Sequence, residues 1–346
     1  MIDVEELASS ADVPVVEQPA PRRPRALFEI IESQLEALRI YYAAVLASES
    51  VEAIHKMRVT TRRLQASLDL LEREMKVRRL KRRLRTWRRN LSSVRNYDVF
   101  LELIEKEAAS RGRTRREQLE LVKAILHGRR LQRAAKVKKF LQNIDIEPIA
   151  RGLGLNRLAA PDPASAANSQ SAEQQAIEPP ARAKCIDEQQ VFSYAAERLD
   201  QRLVEFQAMA AVSHPTNNPA ELHQLRIAAK RVRYLLEIVT EMGFGDASRA
   251  LTWLRTLQDR IGDWHDLEAL EEEIIAIVSS REFMKLHLAE SGRMLQAAAH
   301  LQKKKEALVS RLFPVRVPRY LEATSHRVAR ALRRRAVQNS SSSEQR

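Results

Sequence analysis

One short stretch of this sequence occurs twice. His55-Lys56-Met57-Arg58-Val59-Thr60-Thr61-Arg62-Arg63-Leu64 lines up with His223-Gln224-Leu225-Arg226-Ile227-Ala228-Ala229-Lys230-Arg231-Val232, 168 positions later. Each copy has one histidine followed three and seven residues on by a cation: Arg58 and Arg62 in the first, Arg226 and Lys230 in the second. On a helix advancing about 100° per residue, these three side chains lie within roughly 60° of one another. Arg63 and Arg231 fall about 80° from the histidine, on the flank. The apolar set Ile54, Met57, Leu64, Leu68 and Leu71, repeated as Leu222, Leu225, Val232, Leu236 and Val239, lies nearly opposite. Each helix should therefore pack by one face and present a positive ridge on the other. Cations aligned on one face repel each other, and a bridging polyanion relieves that repulsion. Arginine offers forked donors that match phosphate oxygens, lysine a mobile point charge, and histidine a donor whose charge rises when an anion docks. No carboxylate stands in either ridge to hold Mg²⁺ or act as a base, so binding without catalysis is the expectation.

The elements that must position these ridges are helical. Ser50 and Asn218, again 168 apart, are good N-caps, and Pro219 with Glu221 adds first-turn preferences to the second copy. That second helix should close at Gly243 and Gly245. A further block repeats near an offset of 170. Leu84-Arg85-Thr86 matches Leu254-Arg255-Thr256, and Arg95-Asn96-Tyr97-Asp98 matches His265-Asp266-Leu267-Glu268. Amphipathic periodicity predicts a helix from Leu27, then about 77–91, 94–109 and 114–142, and in the second half about 247–260, 264–279, 282–312 and 318–336. Asp263 is expected to cap the helix that starts at Trp264, as Ser93 would in the first half. Two cores of shared pattern make a duplicated unit.

Composition agrees with an all-α chain. Of 346 residues 44% are hydrophobic, only 8 are glycine, and aromatic content is 5%. The lone Cys185 excludes an internal disulfide framework and a cysteine zinc cluster. The opening Met-Ile-Asp-Val-Glu-Glu is acidic where a signal peptide would be basic, so a reduced, cytoplasmic setting is expected, with no membrane span. Proline-rich 1–24 and serine-rich 338–346 read as disordered tails, and 142–186 as a flexible linker between units at 25–141 and 187–337. The net charge of +14 is unevenly spread: 25–141 holds 29 basic against 14 acidic residues, and 187–337 holds 23 against 20. That excess attracts phosphate polymers or anionic surfaces. Nine of the fourteen residues from Lys76 to Arg89 are basic. Leu80, Leu84 and Trp87 should mark their buried side, and Lys81, Arg85 and Arg89 are candidates to extend the binding surface. His265 is a further candidate. The remaining histidines show no metal-ligand spacing, and Trp87, Trp253 and Trp264 read as core.

The blocks HKMRVTTRRLQASLDLL and HQLRIAAKRVRYLLEIV, followed by LSSVRNYDVFLELIE and LQDRIGDWHDLEALEE, resemble the CHAD domain family of histidine-containing α-helical domains. The resemblance implies two pseudo-symmetric, four-helix-type bundle lobes with a basic groove or pore between them. It also implies binding of inorganic polyphosphate and association with polyphosphate granules. By position it assigns His55, Arg58, Arg62, Arg63, His223, Arg226, Lys230 and Arg231 to the binding surface, with Arg233 beside them. Gln65 occupies the place of Arg233 in the first copy, a difference in charge between the halves. Glu72-Arg73-Glu74-Met75-Lys76 spells the pattern of CYTH triphosphate-tunnel enzymes, but that pattern requires a strand; at a helix end Glu72 and Lys76 make an ordinary i,i+4 pair. Rival readings are backbone-only nucleic-acid binding, a phosphohydrolase, and a scaffold that brings a partner to the polyphosphate. No cofactor or metal is expected.

Overall fold

The computed structural model describes residues 24–48, 50–109, 113–155, 187–212 and 219–343. Among these are eleven helices and no strand: α1 Leu27–Ser48, α2 Val51–Leu70, α3 Arg78–Ala109, α4 Arg113–Gln142, α5 Glu147–Gly152, α6 Glu188–Val212, α7 Pro219–Glu241, α8 Ser248–Val278, α9 Arg281–Leu286, α10 Leu288–Leu312 and α11 Arg319–Ser343. Ser50 caps α2 by accepting from the Ala53 amide at 3.4 Å. Asn218, its expected counterpart, lies outside the described residues. Gly243 closes α7 at φ +89°. A Cβ there would meet Pro24 at 2.8 Å, and the next residue, Arg25, pairs with Glu241 at 2.5 Å. The start of α1 is thus pinned to the end of α7.

The expected breaks near 92 and 263 are absent. Leu84, Trp87, Leu91, Val94 and Tyr97 keep a buried stripe running through α3, and Ile261, Trp264 and Leu267 do so through α8. Ser92 and Ser93 donate to the carbonyls of Arg88 and Asn90 within the helix instead of capping a new one. Asp263 is mid-helix and exposed. The Arg226 guanidinium lies over Gly262, with Nη2 3.7 Å from where a Cβ would stand.

The repeat governs the packing: α1 lies on α2, α2 on α3 and α3 on α4, as α6 lies on α7, α7 on α8 and α8 on α10. α11 runs along α6 and continues to Ser343, beyond position 338 where a tail was expected. α5 falls within the span read as linker; Ile146, Ile149 and Leu153 are buried in the core, and Glu147 is held by Arg39 at 2.8 Å. Residues 156–186 and 1–23 lie outside the described set.

The two halves are not separately cored. One apolar cluster joins α1, α2 and the first half of α3 to α6, α7 and the first half of α8. A second joins Tyr97, Phe100 and Ile104 of α3 and Leu119, Val122 and Leu126 of α4 to Leu267, Leu270, Ile274 of α8 and Met294, Ala298, Leu301 of α10. A buried charge network also bridges the halves. Lys81 Nζ pairs with Asp69 at 2.5 Å and Glu72 at 3.2 Å, and Arg202 of α6 reaches Asp69 at 3.3 Å. Lys81, expected to extend the binding surface, is therefore buried and paired with carboxylates, and Glu72 pairs with Lys81, not Lys76. Asp69→Ala would take the shared carboxylate from two buried cations, leaving Lys81 with Glu72 and Arg202 with the Arg231 carbonyl. It should destabilise the fold by about 2–4 kcal/mol and lower the melting temperature in thermal denaturation by roughly 3–6 °C.

Candidate functional site

α2 is in contact with α7, and α3 with α8. The four helices that carry the repeat therefore meet at one junction. Arg58 and Arg62 come from α2, Arg226, Lys230 and Arg233 from α7, and His265 and Asp266 from α8. Met57, Leu64, Leu225 and Val232 are fully buried on the opposite faces, which fixes the rotation of both ridges toward each other.

The electrostatics show how close the two ridges lie. Lys230 is pushed down to about 6 by burial, then by Arg226, Arg62, Arg233 and Arg58, so charges of both ridges act on one amine. Arg58 is pushed down to about 9 by burial and by Arg62, Arg95 and Arg226, and stays charged at neutral pH. Burial followed by Arg226, His223 and Lys230 takes His265 down to about 4, and its ring lies 5.8 Å from that of His223. His55, at the solvent edge, is lowered by partial desolvation and by Arg95, Arg62 and Arg58. The Nε atoms of Arg58 and Arg226, at equivalent positions, are buried without a protein acceptor. Buried guanidinium donors without acceptors are costly unless a ligand supplies them.

The flanking cations behave differently. Arg63 and Arg231 are exposed, Arg63 lying 3.9 Å from Glu237 and Arg231 3.5 Å from Glu205. Arg233 stacks on Tyr234 at 4.7 Å and approaches Glu237 at 3.8 Å. Arg85 and Arg89 are exposed on α3, outside the junction proper.

Three residues of the junction were not singled out from sequence. Arg95 acts on both His55 and Arg58; its alignment with His265 was the available signal. Arg88 donates to Gln65 Oε1 at 2.9 Å and lies beside Arg62. This resolves the apparent gap at Gln65: the first half has Gln65 on α2 and Arg88 on α3, the second has Arg233 on α7 and Gln258 on α8. Each half keeps one arginine at that place, on opposite helices. The third is Asp266. Its carboxyl is raised by burial against the opposing pull of Arg226 and Arg95, so an acid stands among the cations of the junction. Among the described residues no group of three His, Cys, Asp or Glu side chains could hold a metal ion.

The CHAD domain family model matches residues 29–274, most of the chain and all of the junction. The chain belongs to the CHAD domain family. That family is associated with polyphosphate binding or metabolism. The CHAD fold extends beyond the matched span. The CHAD domain of the plant Ricinus communis superposes with a TM-score of 0.54 at 20% identity, covering 89% of this chain and 97% of that one. PptA from Streptomyces chartreusis gives 0.53 at 16% identity, covering 90% and 98%. No curated protein sequence matches this CHAD chain. Among its described residues no helix is long and apolar enough to cross a membrane.

Proposed function

We propose that this CHAD chain binds inorganic polyphosphate at the junction of α2, α3, α7 and α8, without hydrolysing it, and is thereby held at polyphosphate granules in the cytoplasm. The observation that carries the reading is the pair of buried Arg58 and Arg226 Nε donors without a protein acceptor, beside Lys230, an amine pushed down to about 6 by burial and then by arginines from both ridges. A site built this way is unfavourable when empty and becomes favourable when a dense, continuous anion enters. A linear chain of phosphates supplies such an anion and meets donors from both halves at once.

Hydrolysis is disfavoured by the donor set. Phosphoryl transfer to water needs Mg²⁺ held by carboxylates or a base that orients the nucleophile. Asp266 is acted on by Arg226 and Arg95, and Glu237 and Glu102 lie beside Arg233 and Arg95, so each nearby acid faces an arginine. We assign Asp266 the role of an internal counter-ion. Sequence-reading recognition of single-stranded nucleic acid is disfavoured as well, because Trp87 and Trp264 are buried and offer no stacking platform.

Competition at about 0.15 M salt tests the reading. Labelled long-chain polyphosphate is titrated with duplex DNA at equal phosphate. DNA should displace it only in large excess. Tighter binding of DNA, or release of orthophosphate from polyphosphate by the pure protein, would sink the proposal.

A further inference from the structure

Beside the junction, α3 carries a row of exposed arginines. Arg78, Arg82, Arg85 and Arg89 recur at spacings of four, three and four on α3. At about 100° and 1.5 Å per residue they occupy one stripe about 60° wide and about 16 Å long. All four are exposed, and none forms an ion pair with a carboxylate of the described residues. The stripe borders the junction. Arg88, one turn beyond Arg85, turns inward to Gln65 of α2 and is acted on by both Arg62 and Arg85.

The repeat provides an internal comparison. At the offset of 170 the stripe becomes Ser248, Thr252, Arg255 and Asp259 on α8. One cation remains there, and it is offset by Asp259 and already engaged, with Arg255 3.3 Å from Glu237. The fold is the same on both sides, so packing does not require the arginines of α3. Four like charges on one exposed helix face destabilise that helix, which leaves an extended anion as the physical reason for the pattern.

We propose that a linear polyphosphate seated at the junction leaves it over Arg88 and Arg85 and runs along the α3 stripe to Arg78, so that the chain selects long polyphosphate over short. This rests on the function proposed above. The central site sets whether a phosphate chain binds; the stripe sets how much of a long chain is gripped. Tripolyphosphate fits in the junction and gains nothing from the stripe.

The test compares tripolyphosphate and long-chain polyphosphate on three full-length proteins: the wild type, Arg78→Gln/Arg82→Gln/Arg85→Gln/Arg89→Gln, and a control with equal charge removed elsewhere, Arg311→Gln/Arg330→Gln/Arg334→Gln/Arg335→Gln. All eight positions are exposed, so folding, checked by circular dichroism, is unaffected. The stripe variant should lose at least about tenfold in long-chain affinity, and the slope of log affinity against log salt should fall by about 3. Its tripolyphosphate affinity should stay within about threefold, as set by long-range field alone. The control should change neither by as much. Equal loss for both ligands, or long-chain loss no larger than in the control, overturns the one-sided path. Failure of the underlying reading looks different: the wild type binds neither ligand, or long-chain binding survives removal of the junction cations.

Discussion

Replacing Arg58, Arg62, Arg226 and Lys230 together by glutamine is expected to lower polyphosphate affinity by at least about a thousandfold while raising the melting temperature of the empty protein. Hydrogen bonds to charged groups are worth about 1.5–3 kcal/mol each. Four such positions acting on one ligand, even with strong non-additivity, exceed the roughly 4 kcal/mol that a thousandfold represents. The salt slope should also fall by about 3, since each cation displaced from a flexible polyanion contributes about 0.7. The opposite sign for stability follows from the same contacts. Lys230 is held down by burial and then by Arg226 and Arg62, and Arg58 by burial and then by Arg62 and Arg95, so neutral amides remove both the cost of buried charge and the repulsion that the empty fold carries. Fluorescence titration and thermal denaturation of one preparation check both. Weakened binding with a lowered melting temperature would mean that the four residues are structural. Affinity altered only as much as by four outlying charges would mean that the ridge is not the site. Asp266→Asn should act in the opposite direction, tightening binding by removing a negative charge near Arg226 and Arg58.

The ridge residues were legible in the sequence because a helix converts spacing directly into direction. His55, Arg58 and Arg62 share a face whatever the helix packs against, and the buried partners Met57 and Leu64 fix which way it turns. Duplication strengthened the inference by showing the same pattern with caps in register. What stayed hidden depended on contacts between helices. Lys81 and Arg88 belong to one basic run, yet Lys81 is drawn inward by Asp69 and Arg88 is turned toward Gln65. No periodicity distinguishes the two, since the acceptors sit on another element. Asp263-Trp264-His265-Asp266 resembled a helix start because capping residues and interior residues of an exposed face are drawn from the same polar types. The buried stripe through Ile261, Trp264 and Leu267 overrides them. The separation into two lobes was likewise a matter of sequence distance; the cores merge because α3 and α8 are each long enough to contribute to both clusters.

Binding is expected to take up protons, and affinity to rise as pH falls from about 8 to about 6. Lys230, at about 6, is neutral in the empty protein at pH 7.5. A bound phosphate chain favours the ammonium and drives its value back toward that of a free lysine, so each binding event consumes a proton in that window. His55 contributes in the same direction, since burial and then Arg95, Arg62 and Arg58 lower it in the empty state and an anion offsets the arginines. Calorimetric titration in two buffers of different ionisation enthalpy reads the proton directly. Lys230→Met should abolish most of the uptake. The same variant has a defined effect on stability. In the unfolded chain Lys230 is charged up to about pH 10, whereas in the fold it is neutral above about 6. Folding therefore releases a proton between those limits, and wild-type stability rises with pH across them. The burden that Lys230 places on the fold is fully present below about pH 6 and vanishes toward pH 10. Lys230→Met should accordingly stabilise the empty protein by on the order of 3 kcal/mol near pH 6, several degrees in melting temperature, with the gain fading as pH rises. A gain independent of pH would assign the effect to packing of the methionine alone. Proton uptake unchanged in the variant would place the titrating group elsewhere in the junction.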